Sequence, residues 1–131
     1  MIVLDTHAWI WWLAAPQELS KTAAEAIERA TNSAGIYISA ISAWEMAMLV
    51  RKGRLELTMD VADWVAAAES LPYLHSVPVT SQIAVMSVEL EDYAYTDPAD
   101  RIIIATAMMM NARLVTKDGK ITSYPHVKTL W

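Results

Sequence analysis

Acidic residues stand in this chain at the places where a parallel α/β fold does its chemistry. Asp5 ends the apolar run Ile2-Val3-Leu4, and Asp118 lies two residues past Thr116, the end of Arg113-Leu114-Val115-Thr116. Glu45 falls in the first turn of a helix read from Ser42, and Asp100 in the first turn of a helix opened by Asp97-Pro98. Ligands of an open parallel sheet bind beyond the carboxyl ends of its strands. If these termini share one edge, Asp5, Glu45, Asp100 and Asp118 converge from distant segments. Carboxylates in a poorly solvated site cannot all stay ionised without a counter-charge. Mg²⁺ or Mn²⁺ would supply it, since both take oxygen ligands and retain waters. Ions so held clamp a phosphodiester and lower the pKa of an attacking water, so phosphodiester hydrolysis is the reaction these residues suit best.

Each acid also has a plainer reading. Asp5 can simply end a strand, and Asp118, before Gly119, can be a turn residue. Ser42-Ala43-Trp44-Glu45 has capping-box spacing, so Glu45 can serve Ser42 alone. Asp97 is a good N-cap with Pro98 at the first helical position, and Asp100 stands where a carboxylate bonds back to the cap. The coincidence of all the acids, rather than any one of them, carries the argument.

The elements that must position them alternate. Ile2-Val3-Leu4 reads as a buried parallel strand and His7 to Ala14 as a helix carrying Trp9, Trp11 and Trp12, which could stack on RNA bases but are expected in core or interface packing. Ser20 caps the next helix, whose Glu25 and Arg29 are spaced to pair. Gly35 and the strand Ile36-Tyr37-Ile38 follow, then the helix from Ser42 to a C-cap near Gly53. Asp60 starts a helix with Val61, Trp64, Val65 and Ala68 on one face. Val77-Pro78-Val79 is at best an edge strand, because proline cannot donate to a ladder. Thr80 to Leu90 is a helix and Glu91 to Thr96 a loop. The helix through Ile102-Ile103-Ile104 is apolar all round and should be buried. Tyr124-Pro125 is a turn, and Val127 to Leu130 a short last strand. The expected fold is a three-layer α/β/α domain with a central parallel sheet, a single domain over residues 1–131.

Composition agrees. The chain has 131 residues, is 55% hydrophobic and has only 3 Gly and 5 Pro, which favours a packed, helix-rich fold over disorder. No apolar run approaches the roughly 18 residues of a membrane helix, and no basic region precedes a long apolar one. A cytoplasmic protein without a membrane association is expected. Absence of Cys excludes thiol catalysis and thiolate metal sites. A net charge of −5 disfavours nonspecific coating of nucleic acid, yet clustered active-site acids can make up much of that excess.

The same residues carry a family resemblance. Leu4-Asp5-Thr6-His7-Ala8, Ser39-Ala40-Ile41-Ser42-Ala43-Trp44-Glu45, Asp97-Pro98-Ala99-Asp100-Arg101 through Ala105-Thr106-Ala107, and Leu114-Val115-Thr116-Lys117-Asp118 resemble the motifs of PIN-domain proteins. In particular they resemble the VapC toxins of type II toxin–antitoxin systems. The stretches follow the family's order and approximate spacing over nearly the whole chain. The resemblance implies a Mg²⁺- or Mn²⁺-dependent endoribonuclease with its acids at Asp5, Glu45, Asp100 and Asp118. Asp5, Asp100 and Asp118 would bind metal, and Glu45 would complete the cluster or position the water. Asp100 is taken as the principal acid of the third motif and Asp97 as its cap. Thr116, and more weakly Thr6, would contribute supporting hydroxyls. The resemblance also implies a homodimer and a cognate antitoxin that wraps the helices, inserts an Arg into the acids and meets exposed aromatic surface at Trp9 or Trp12.

Two other functions compete. A catalytically silent PIN module in RNA binding or assembly would usually have lost one of the acids, and none is missing. A phospho-acceptor receiver also clusters acids at strand ends, and fold likeness alone does not decide between them.

Overall fold

A computed structural model describes all residues, Met1–Trp131. Its centre is a five-stranded sheet in the order β3-β2-β1-β4-β5 with every pairing parallel. The strands are β1 (Ile2–Leu4), β2 (Ile36–Ser39), β3 (Leu74–Val77), β4 (Arg113–Val115) and β5 (Thr129–Leu130). Helices α1 (Thr6–Ala14) and α2 (Lys21–Thr31) join β1 to β2, and α3 (Ala40–Arg51) and α4 (Val61–Glu69) join β2 to β3. Helices α5 (Ser81–Val88) and α6 (Pro98–Met109) join β3 to β4, and the short α7 (Gly119–Thr122) joins β4 to β5.

Side chains alternate across β1, so Ile2 and Leu4 enter one core and Val3 the other. The first core adds Trp9, Ile27, Met46 and Ala68 from α1, α2, α3 and α4. The second adds Ile103, Ile104 and Ala107 from α6, Ile121 from α7 and Tyr124. Both faces of the sheet's centre are therefore covered, which is why β1 reads as an unbroken apolar run. The result is the three-layer α/β/α architecture expected.

Register sets the site. Leu4 pairs with Ile38 on one side and Val115 on the other. One residue further, Asp5 and Thr116 leave the sheet at its carboxyl edge beside Ser39, the last residue of β2, and the Asp5 N–H donates to Val115 O at 3.1 Å.

Local signals account for most boundaries. Ser20, Asp60, Thr80 and Asp97 cap α2, α4, α5 and α6 through their side chains. Gly35 turns the chain from α2 into β2 with φ +88°, and a Cβ there would stand 2.7 Å from His75 Nε2.

Several expectations are corrected. Helix α3 starts at Ala40 with Ser39 as its cap, because β2 runs straight into the helix. Ser42 is therefore a buried position of the first turn, Glu45 moves to the second, and there is no Ser42 capping box. The third strand precedes Pro78 rather than spanning it, since Leu74–Val77 keep the N–H groups the ladder needs. Asp118 begins a helix, α7, where only a turn was expected. Glu25 and Arg29 form no ion pair; the single pairing within salt-bridge range is His126 with Asp92 at 4.0 Å. Trp9 is fully buried, so it is not exposed aromatic surface.

Candidate active site

At the carboxyl edge of the sheet lies a cavity of about 570 Å³, lined by Asp5, Thr6, His7, Trp11, Glu45, Asp97, Asp100, Lys117 and Asp118. The four acids expected to converge, and Asp97 with them, share this one space.

Asp5 is the most constrained of them. Its Oδ1 accepts the Ala8 N–H at 2.8 Å as the N-cap of α1, and its Oδ2 accepts the Thr116 hydroxyl. Thr116, fully buried, also accepts the Asp118 N–H at 3.1 Å. One hydroxyl thus ties the end of β1 to the start of α7. Thr6 is buried and donates to Ser42 Oγ at 3.0 Å, which joins α1 to α3 beneath the cavity.

Glu45, Asp97 and Asp100 form the tightest group: one carboxylate oxygen from each lies within 4.8 Å of the others. Asp97 caps α6, its Oδ1 accepting the Asp100 N–H at 3.0 Å, and stands in this cluster as well. Asp118 lines the cavity outside the triad and caps α7, its Oδ1 accepting the Lys120 N–H at 2.9 Å.

Burial and charge crowding act on two of these acids and on a nearby phenol. Burial, and then the negative charges of Asp97, Glu45 and Asp118, push Asp100 up to about 7. Burial also raises Asp5, against the opposing hydrogen bonds from Thr116 and Ala8. Burial and the nearby Asp100 and Asp118 push the Tyr93 phenol up to about 12. An upward shift of this kind is the expected response of crowded, buried carboxylates without a counter-ion. An all-oxygen donor set of this density fits a hard divalent cation.

Arg101, next to Asp100, does not enter the cavity. Its guanidinium donates to the carbonyls of Ser87, Val88, Tyr93 and Tyr95 at 2.8, 3.2, 3.0 and 2.6 Å. It fastens the end of α5 and the following loop to the start of α6, where Asp97 and Asp100 sit.

His7, Trp11 and Lys117 were not expected in the site, Trp11 being assigned to core or interface packing, yet they line the cavity. Their signal was local: His7 and Trp11 are four apart on α1 and share a face, and Lys117 directly precedes Asp118.

The PIN domain family model matches residues 2–127. Ribonuclease VapC22 of Mycobacterium tuberculosis is 38% identical over 132 residues, covering 99% of this chain and 98% of the relative. Among solved structures, VapBC2 from Rickettsia felis bound to a DNA fragment from its promoter aligns with TM-score 0.73 at 19% identity, over 98% of this chain and 97% of that one. Mycobacterium tuberculosis VapC20, a sarcin-ricin loop cleaving toxin, aligns with TM-score 0.67 at 18% identity, over 98% and 99%. At these identities the two structures speak for the fold, while the family model and the 38% identical relative span nearly the whole chain. With the acids gathered at the edge of a parallel sheet, the chain belongs to the PIN domain family.

Proposed function

We propose that the chain is a divalent-metal-dependent endoribonuclease of the VapC toxin type, held in check by a cognate protein antitoxin. The observation that carries this reading is the gathering of Asp5, Glu45, Asp97, Asp100 and Asp118 in one cavity, in a chain 38% identical to a ribonuclease.

Glu45, Asp97 and Asp100 would hold the ion, with Asp5 and Asp118 completing the acidic wall; Mg²⁺ and Mn²⁺ both suit carboxylate oxygens. When bound, the ion supplies charge stabilisation at the phosphate and a more acidic water. The chain's own work is orientation. Thr116 and the Ala8 N–H fix the Asp5 carboxylate against rotation. Glu45, which reaches the cavity from the second turn of α3, positions the attacking water, whose proton passes to solvent. The new bond is from water oxygen to phosphorus and the P–O3′ bond breaks with its electron pair on O3′, which takes a proton from solvent, leaving a 5′-phosphate and a 3′-hydroxyl. Thr6 supports the floor through Ser42.

An antitoxin Arg would pair two-pronged with this cluster and compete with the metal, a sufficient means of inhibition. The chain would act as a homodimer in the cytoplasm, where its RNA is. No helix is long and apolar enough to cross a membrane.

The test is purified protein against total cellular RNA with Mn²⁺, Mg²⁺ or EDTA, beside Asp5→Asn and Asp100→Asn. Discrete products that require metal and vanish in both variants are expected. A folded wild-type protein that binds neither ion overturns the reading.

A further inference from the structure

Beside its acids, the cavity has lining residues of a different character. Trp11 is the only hydrophobic residue that lines it. Its ring is half-buried, unlike that of Trp9, which is 1% exposed in the core. Trp11 is flanked by His7, with ring centroids 5.6 Å apart, and by Trp131 at 5.8 Å. The Lys117 ammonium stands over the Trp11 ring, 5.8 Å from its centroid. Although Lys117 shares the cavity with five carboxylates, it makes no ion pair with any of them. It is an exposed cation, parked on an aromatic face beside the acids.

A chain of net charge −5 must grip a polyanion somewhere near its acidic centre. Single-stranded nucleic acid is held by aromatic faces on which bases stack, combined with cations that follow the backbone. Trp11 with Lys117 has both parts, within the cavity that holds the acids. From this arrangement, and resting on the ribonuclease reading, we propose that Trp11 and Lys117 form a nucleotide subsite. Trp11 stacks on an unpaired base next to the scissile phosphate, and Lys117 contacts a neighbouring phosphate.

The two residues predict separable signatures. Anisotropy of a labelled single-stranded oligoribonucleotide, titrated with the full-length protein in Ca²⁺ over a range of NaCl and confirmed intact afterwards, reads binding. Single-turnover cleavage in Mn²⁺ reads the half-saturating concentration and the maximal rate. Trp11→Leu keeps an apolar side chain against Trp131 but has no π face; it should weaken binding on the order of ten-fold without changing the salt slope. Trp11→Phe should recover most of the loss. Lys117→Ala should lower the slope of log K against log salt by about 0.7, the value for one phosphate contact on a single strand. In both Trp11→Leu and Lys117→Ala the half-saturating concentration rises while the maximal rate stays within about two-fold. Equal affinity of Trp11→Leu and wild type, or an unchanged salt slope in Lys117→Ala, overturns the subsite. Wild-type binding that depends on Trp11 without any cleavage overturns the nuclease reading and leaves the subsite standing. Absence of any wild-type binding overturns the subsite.

Discussion

The Thr116 hydroxyl donates to Asp5 Oδ2 while accepting the Asp118 N–H, so a single buried oxygen orients one acid and anchors the segment bearing another. Thr116→Val keeps the shape and removes both bonds. Loss of partners at a mostly buried site should cost about 1–3 kcal/mol in urea unfolding. Asp5 loses a donor that favours its ionised form, so the acid limb of the pH–rate profile should move to higher pH. Thr116→Ser should restore both readouts. A Thr116→Val protein with wild-type stability and pH profile would show that the bond orients nothing.

The pH dependence of the metal-free protein has a definite sign. Asp100 releases its proton near 3.8 when exposed and near 7 when folded, so between those values the unfolded chain binds fewer protons. Stability is therefore lost as pH rises from about 4 to about 7, and the raised Asp5 adds a loss of the same sign. Thermal melts in EDTA should fall across this window, and Asp100→Asn should flatten the fall. With Mn²⁺ the trend reverses, because only ionised carboxylates bind the ion. Stabilisation by metal should grow up to pH 7, reaching about 2.7 kcal/mol at one hundred times the dissociation constant. Melts in EDTA that rise from pH 4 to pH 7, in parallel for wild type and Asp100→Asn, would contradict the charge crowding.

Asp97 caps α6 and stands in the acid cluster, two positions that substitution can separate. Asp97→Ser retains a good N-cap acceptor for the Asp100 N–H and should change stability by less than about 0.5 kcal/mol. It removes one carboxylate from the triad, so Mn²⁺ affinity measured by calorimetry should fall at least ten-fold. Asp97→Ala should lose the same affinity and a further 1 kcal/mol or so of stability. Wild-type Mn²⁺ affinity in Asp97→Ser would return Asp97 to a purely capping role.

Arg101 is expected to matter without touching the cavity. Arg101→Met leaves the carbonyls of Ser87, Val88, Tyr93 and Tyr95 without their common donor. A loss of about 2–3 kcal/mol is expected, since bonds to a charged donor are among the stronger ones. Hydrogen exchange should speed up in the Glu91–Thr96 loop and the first turn of α6 while the sheet stays protected. Unchanged exchange in that loop would remove Arg101 from the architecture of the site.

Much of this was legible in the chain itself. The runs Ile2-Val3-Leu4 and Leu114-Val115 are apolar at every position, which only a strand covered on both faces requires. Caps at Ser20, Asp60, Thr80 and Asp97 write helix starts into the sequence because the side chain's oxygen meets an N–H two or three residues on. Acids directly after such elements then mark the carboxyl edge. Where a local signal misled, the reading slipped: Ser42 has capping-box spacing to Glu45, but β2 runs directly into the helix and Ser39 is the cap.

What the sequence by itself determined is the alternation of strands and helices and the position of acids at their ends. Both follow from interactions within a few residues. The tertiary structure decided which of those acids meet. Asp97 joins Glu45 and Asp100 because α3 and α6 bring their starts together, a relation no local spacing encodes. It also sorted three similar tryptophans, sending Trp9 into the core and Trp11 to the cavity, and chose Asp5 as the partner of Thr116, 111 residues away. These outcomes depend on strand register and helix packing, which are properties of the assembled sheet rather than of any one segment.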